Sequence, residues 1–527
     1  MKLNIKNIIM GGAIALAIGL TSCVDDLNVE PINPQVSQEF DQQAVFTKIY
    51  ASLGMTGMTG TAGGGDLDAM GIDEGQSGFY RTLWYLNNLA GDEAICNWMT
   101  DQGVPEANYA GWTDTDVFVQ GLYYRLYFGV TLCNHFLDMT SDATDEETLL
   151  QRAEARFIRA LNYYYLMDMY ANVPLVTKVE SELPQQAKRA DIFAFLEQEL
   201  LEMQNDMSEP GAGLYYRVDR AAAWTLLARL YLNAEVYTGN ARWADAATYA
   251  EKVINSSYKL AESYPALFMG DNGENADAMQ EIILPIAQHG DYTKTYSGSY
   301  FLVAATHTAG MPEWGTIDGW GGIRPRKSLA EKFNAGSDDR ALFFKWNEDP
   351  SIILPDKFIN PKGDGIEGGG WAVTKWNNLS AKDSDLANGI LVPVASNDPE
   401  VKVPETDIPF LRAAEAYLTY AEAKFRLGED GEAIAKFNAL RTRANAQTVS
   451  NLTLDLLRDE WSREFYFEGR RRIDLIRFNS FGGNTDYKWD WKGSVANGTA
   501  FDAKYNILPI PAGDINANSN LTQNSGY

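Results

Sequence analysis

Arg220-Ala-Ala-Ala-Trp224-Thr-Leu-Leu227-Ala228-Arg-Leu-Tyr231-Leu-Asn-Ala-Glu-Val-Tyr237, followed by Trp243-Ala-Asp-Ala-Ala-Thr-Tyr-Ala250-Glu-Lys-Val-Ile254, is the stretch that decides the fold. Trp224, Leu227, Ala228 and Tyr231 stand at the W-x2-L-[GA]-x2-Y spacing of the first helix of a tetratricopeptide pair. Ala246 and Ala250 put small residues four apart on the next helix, so the two can approach closely. Upstream, Glu154 to Met169 keeps a helical period. Downstream, Phe410 to Ala446 repeats the idea with Ala413, Ala416, Tyr417, Tyr420 and Ala421, then Ala433 and Phe437 beyond the Gly428-Glu-Asp-Gly431 turn. Either block alone reads equally well as an ordinary core stripe, but two similar blocks favour helix-pair packing. The expected fold is mainly α, with tetratricopeptide-like helix pairs forming a scaffold.

Between the blocks the pattern changes. Ala287 to Val403 is rich in Gly, Trp, Asn and Pro and reads as long loops with short strands, as does the Gly-rich Met55 to Gly78. No Gly-Lys-Ser/Thr ending follows these glycines, so nucleotide binding is discarded. The expected layout is one domain over 41–527, with a helical scaffold at about 41–54, 115–270 and 405–480. Loop-rich parts at about 55–114 and 285–404 carry the ligand site.

The N-terminus speaks to location. Lys2 and Lys6 precede a short apolar run, Ile8 to Leu20, which reads as a secretory signal and not as a spanning helix. It ends Leu20-Thr-Ser-Cys23, which resembles a lipobox. This predicts a signal peptide over 1–22, acylation of Cys23, and a polar tether over 23–40. The 527 residues are 45% hydrophobic, enough for a large core. With 44 Lys and Arg against 71 Asp and Glu the net charge is −27, which repels nucleic acid. Beyond Cys23, only Cys96 and Cys133 remain, too few for a disulfide framework. The 13 Trp, 27 Tyr and 23 Phe exceed what a helical core needs, so some are expected to face a ligand.

Several blocks together resemble the SusD/RagB family. They are Pro409 to Ala423, Glu464-Phe-Tyr-Phe-Glu468-Gly469-Arg470-Arg471-Arg472-Ile-Asp474-Leu-Ile-Arg477-Phe478, Leu508-Pro-Ile-Pro511 to Tyr527, Tyr170-Ala-Asn-Val-Pro174 and Ala228 to Ala234. They span nearly the whole mature chain in the family's order. The resemblance implies a non-enzymatic lipoprotein of the outer membrane, facing the cell exterior. It would bind starch-like or other α-glucan oligosaccharides and deliver them to a SusC-like TonB-dependent transporter, on which it acts as a lid. No cofactor is required.

Within the family the chain looks especially like the starch-binding founder, through Ile72-Asp73-Glu74-Gly75 with Arg81, Asp92-Glu93-Ala94 leading to Trp98, Tyr292 to Tyr296, and Gly319-Trp320. That likeness implies hydrogen bonds from Asp73 and Arg81 to sugar hydroxyls, and stacking of Trp98 and Tyr296 on pyranose faces. The chemistry agrees, because sugar C–H faces are apolar while the hydroxyl edge needs donors such as Arg and charged acceptors such as Asp. Two departures stand out: Cys96 replaces a second tryptophan of the founder's arc, and Asp101 replaces an asparagine. An α-1,6-linked glucan therefore rivals an α-1,4-linked one. Cys96, Trp112, Trp314 and Trp320 are secondary contact candidates, Trp320 reading first as a wedge in its Gly-flanked turn.

Each of these has a plainer reading. Trp98 and Tyr296 could be core rings, and Asp73 could simply pair with Arg81. Asp271, Asn275 and Asp277 supply hard oxygens close together and make a weak calcium candidate without EF-hand spacing. Arg470, Arg471 and Arg472, with Glu460, Glu464 and Glu468 at four-residue spacing, read as an ion-pair network along one last long helix. His135, His289 and His307 belong to no nucleophile or zinc motif. A surface glycoside hydrolase, needing two carboxylates about 5 to 10 Å apart, and a tetratricopeptide-like scaffold without a sugar site are the competing functions.

Overall fold

The computed structural model describes residues 40–527 apart from 59, 61–63, 181, 334–335, 352–369 and 484–485. The signal peptide, Cys23 and nearly all of the tether thus lie outside the described residues. Ala44 to Tyr527 form one compact unit. Its main helices are α1 (Gln42–Gly54), α2 (Val117–Met139), α3 (Glu146–Tyr170), α4 (Arg189–Met203), α5 (Arg220–Leu232), α6 (Trp243–Ile254), α7 (Gly298–Thr306), α8 (Ala413–Arg426), α9 (Asp430–Arg443), α10 (Leu454–Phe465) and α11 (Arg471–Arg477). Aspartates start three of them: Asp116, Asp145 and Asp219 accept from the free N–H groups of the first turns of α2, α3 and α5.

Helices pack as neighbours, α2 with α3, α3 with α4, α5 with α6 and α8 with α9. The expected mainly helical, tetratricopeptide-like scaffold is what the structure shows. Contacts between α6 and α8 merge the two sequence blocks into one array. Alanines make the close approach possible: Ala246, Ala247 and Ala250 on α6, and Ala413, Ala414, Ala416 and Ala421 on α8, are all buried.

Some boundaries differ from the sequence reading. The stretch to Tyr237 breaks at Asn233 into α5 and a short helix, Ala234–Thr238. Phe410 is not helical: Ile408–Arg412 is a strand paired antiparallel with Ile282–Ile286. The last long helix is two, because Phe467 (φ 61°) and Gly469 (φ 78°) turn the chain between α10 and α11. The ion-pair network exists and is buried, with local pairs such as Arg470–Asp474 joined by others that run between elements. Arg471 pairs with Asp92, Arg472 with Asp168, and Glu464 with Arg340, Arg412 and Arg443.

The loop-rich region holds short strands, β1 (Ala94–Cys96), β2 (Ile282–Ile286), β3 (Ile323–Pro325), β4 (Phe343–Lys345) and β5 (Trp371–Val373), with β6 being Ile408–Arg412. They form three two-stranded antiparallel ladders, β1–β3, β2–β6 and β4–β5. Helix α7 is buried along its whole length, a helix where loops and short strands were expected.

Candidate ligand-binding site

The β1–β3 ladder builds the aromatic part of the site. Cys96 lies opposite Ile323, so the end of β1 meets the start of β3. Trp98, two residues beyond β1, is thereby set beside Trp320, three residues before β3, with ring centroids 6.3 Å apart. Trp320 packs at 5.0 Å on Tyr300 and at 6.2 Å on Tyr296. Tyr296 and Tyr300 are themselves nearly parallel at 6.1 Å, because Tyr296 precedes α7 and Tyr300 lies in its first turn. Trp98, Trp320 and Tyr296 are half-buried, so each keeps surface open to solvent. Trp320 is both a wedge and part of an open row: its backbone N–H donates to the Ala304 carbonyl at 2.6 Å while its ring joins the aromatic group.

A glycine makes room for this row. A Cβ on Gly322 would lie 1.9 Å from Cε2 of Trp98, so the indole packs directly against that backbone. Asn97 N–H donates to Gly322 O at 2.9 Å and holds the two segments together. The Tyr300 hydroxyl donates to Asp318, pinning its ring from behind.

A polar cavity of about 310 Å³ is lined in part by Asp73, Gln76, Arg81, Tyr85, Asp101 and Gln102. Arg81 connects it to the aromatic row, since Nη1 donates to the Tyr296 carbonyl at 3.1 Å and Nη2 to the Tyr85 hydroxyl at 3.3 Å. The guanidinium also lies 4.8 Å from the centre of the Phe301 ring. Burial raises the Tyr85 hydroxyl above its ordinary range, so it remains neutral. Asp101 N–H donates to Trp98 O at 2.9 Å, so one turn carries both a ring and an acid. Asp73 caps the short helix Glu74–Ser77 by accepting from Gln76 N–H at 3.1 Å. Among the described residues, Asp73 and Arg81 form no ion pair with each other, against the plain reading of the two as a structural pair.

Asp73, Arg81, Trp98, Asp101 and Tyr296 are therefore brought together, and Trp320 joins them. Two secondary candidates, Cys96 and Trp112, are corrected. Cys96 is fully buried inside β1 and burial pushes its thiol up to about 12, so it offers nothing to a ligand. Trp112 is 1% exposed and its N–H donates to the Tyr527 hydroxyl at 3.0 Å. Trp314, half-buried like the rings of the row, stacks on His307 and donates its N–H to Asp318 O at 3.0 Å, so it steadies the loop that leads to Trp320. His307 is buried, which pushes its imidazole down to about 4 and keeps it neutral.

The calcium candidate does not gather its oxygens. Asp271 accepts from Ser380 Oγ and the N–H groups of Ala381 and Lys382. Asn275 caps a short helix, and Asp277 accepts from the N–H groups of Glu262 and Ser263. Among the described residues, no group of three or more His, Cys, Asp and Glu could hold a metal ion. The sequence reading missed Tyr85, Tyr300, Gln76 and Gln102. Only Tyr300 carried a local signal, four residues after Tyr296 and four before Ala304, on which Trp320 is hung.

Comparison with known proteins settles the lineage. A model of the SusD family matches residues 394–527, and one described as "Starch-binding associating with outer membrane" matches 66–232. The starch-binding protein SusD of Bacteroides thetaiotaomicron is 42% identical over 562 aligned positions, covering 99% of each chain. The chain belongs to the SusD family. A SusD-like protein of Bacteroides ovatus is 25% identical over 69% of this chain and 66% of its own. Among solved structures, a surface glycan-binding protein A from Bacteroides fluxus superposes with a TM-score of 0.70 at 19% identity, covering 92% of this chain and 99% of the other. At that identity the match speaks for the SusD fold alone. Among the described residues no helix is long and apolar enough to cross a membrane.

Proposed function

We propose that this chain is a glycan-binding protein, not an enzyme, anchored through Cys23 to the outer membrane and facing the cell exterior. It captures α-glucan oligosaccharides and passes them to a TonB-dependent transporter. The observation that carries this reading is the row of half-buried rings, Trp98, Trp320 and Tyr296, joined through Arg81 to a cavity edged by Asp73 and Asp101. Apolar pyranose faces stack on the rings, and hydroxyl edges turn toward the guanidinium and carboxylates. A relative aligned along its whole length is named a starch-binding protein, which supports an α-glucan as ligand. The family description "associating with outer membrane" supports the location. The net charge of −27 fits a neutral ligand better than an anionic one.

Calorimetric titration of the whole chain in detergent with maltooligosaccharides and isomaltooligosaccharides tests the reading. Binding to one series, lost in Trp98→Ala, establishes the ligand class and assigns the linkage. Silence with both, or release of shortened products during incubation, overturns it.

A further inference from the structure

The aromatic row has a back wall that none of its rings supplies. Tyr300, Ala304 and Val403 form a small buried cluster, against which Tyr296 and Trp320 pack. Val403 comes from the loop 396–405, and that loop reaches both arms of the row. Val401 O accepts from Ile317 N–H at 3.0 Å, on the arm that leads to Trp320. On the arm that leads to Tyr296, Lys294 Nζ lies 3.4 Å from Asp398 Oδ1, and Gly290 N–H donates to Glu405 Oε2 at 3.1 Å. The approach is so close that a Cβ on Gly290 would lie 2.6 Å from both Asp398 N and Glu405 Oε1. One carboxylate winds the loop. Asp398 is 3% exposed, and accepts at Oδ1 from Glu400 N–H at 3.1 Å and at Oδ2 from the N–H groups of Lys402 and Val403 at 2.9 and 3.1 Å. These bonds span Val401, whose φ of 54° is a disfavoured conformation for a β-branched residue and persists only where its surroundings impose it. What the strained turn achieves is to bring Val403 to the back of the rings.

We propose that Asp398 is a positioning residue for glycan binding: by winding 398–403 it seats Val403 behind Tyr300 and Trp320 and ties together the arms that bear Tyr296 and Trp320. The inference rests on the glycan-binding reading above and adds a residue that acts from behind the rings. Stacking depends on ring spacing, because dispersion contact is forfeited over fractions of an ångström. Trp98, Tyr296 and Trp320 come from separate segments, so no single helix or strand fixes their spacing. Asp398 does so from a third segment, by meeting three N–H groups and an ammonium at once. Without it those N–H groups lose their acceptor, and nothing holds Val401 in its strained turn.

The test is titration calorimetry of the whole chain in detergent, against the oligosaccharide series that binds the wild type and well below each variant's melting temperature. Asp398→Ala is expected to raise Kd roughly tenfold, the cost of ordering two loosened rings again on binding, and Asp398→Asn, which keeps one acceptor, to raise it less. Val403→Ala trims the wall while leaving the carboxylate's bonds in place, and should move Kd the same way. Asp385→Ala is the control for a merely structural loss, since Asp385 also caps a surface turn but bonds only Asn388 in its own loop. It should leave Kd unchanged. Hydrogen exchange without ligand reads the same linkage. The N–H groups of Trp320 and Gly321, both bonded to Ala304 O, are expected to exchange faster in Asp398→Ala and at the wild-type rate in Asp385→Ala. Wild-type affinity in Asp398→Ala and Val403→Ala, equal losses in Asp398→Ala and Asp385→Ala, or unchanged exchange at Trp320 in Asp398→Ala overturns the inference and leaves the glycan reading standing. A wild-type chain that binds no glycan overturns both.

Discussion

Replacing Gly322 by Ala tests the aromatic row without touching a ring. The new methyl would fall 1.9, 2.2 and 2.4 Å from Cε2, Cζ2 and Nε1 of Trp98, contacts no structure tolerates. The backbone cannot retreat, because Cys96 pairs with Ile323 directly beyond and Asn97 N–H is bonded to Gly322 O at 2.9 Å. The half-buried indole therefore leaves its seat. Stacking a pyranose on one indole face removes roughly 100 Å² of apolar surface from water, which at about 25 cal/mol per Å² is about 2.5 kcal/mol, or about 70-fold in Kd. Calorimetry of wild type, Gly322→Ala, Trp98→Ala and the double variant reads it. Each single variant is expected to lose affinity on that scale, and the double no more than Trp98→Ala alone, since both remove one platform. Wild-type affinity in Gly322→Ala, or full additivity in the double variant, refutes the role assigned to the seated indole.

Other expectations follow from buried charge and buried thiols. Glu464→Ala leaves Arg340, Arg412 and Arg443 facing one another without their shared carboxylate, and should cost about 3–5 kcal/mol in chemical denaturation. A loss under about 1 kcal/mol would mean the network does not depend on it. Burial pushes the Asp407 carboxyl from 3.8 up to about 7 while it accepts from Gln288 N–H at 2.7 Å. The folded state then holds that proton more tightly than the unfolded one, so the associated stability is present below about pH 4 and is lost as pH rises through about 7. Asp407→Asn cannot titrate, so its melting temperature should gain on the wild type between pH 5 and pH 8; a constant difference would contradict the assignment. Cys96 and Cys133, both buried and raised to about 12, should ignore a thiol reagent until the protein is denatured. Rapid labelling of native Cys96 would restore it as a surface residue.

The division between what was legible and what was not follows the range of the forces involved. Helix pairing could be read because it rests on local regularities: apolar and small residues at three- and four-residue spacing. Those features act within one or two turns of chain, and the W-x2-L-A-x2-Y run became α5, packed on α6. Asp73, Arg81, Trp98, Asp101 and Tyr296 were visible through the resemblance to the SusD/RagB family, with which their Gly-rich surroundings agreed.

What no local pattern carried is which side chains end up covered and which meet. Cys96 and Trp98 are two residues apart, yet one is sealed in a strand buried on both faces and the other is half open. Trp112, a secondary candidate by sequence, is closed off because Tyr527, more than 400 residues away in the chain, takes its N–H. Helical spacing put Glu468 beside Arg471 and Arg472, but the turn at Phe467 and Gly469 sent Arg471 to Asp92 and Arg472 to Asp168. By itself, then, the sequence determined a helical scaffold and, through the resemblance, named most residues of the candidate site. The tertiary structure decided that Trp98 lies against Trp320 and that Arg81 ties the rings to the cavity. Strand pairing and burial join residues hundreds of positions apart, and their energies depend on neighbours that only the folded chain supplies.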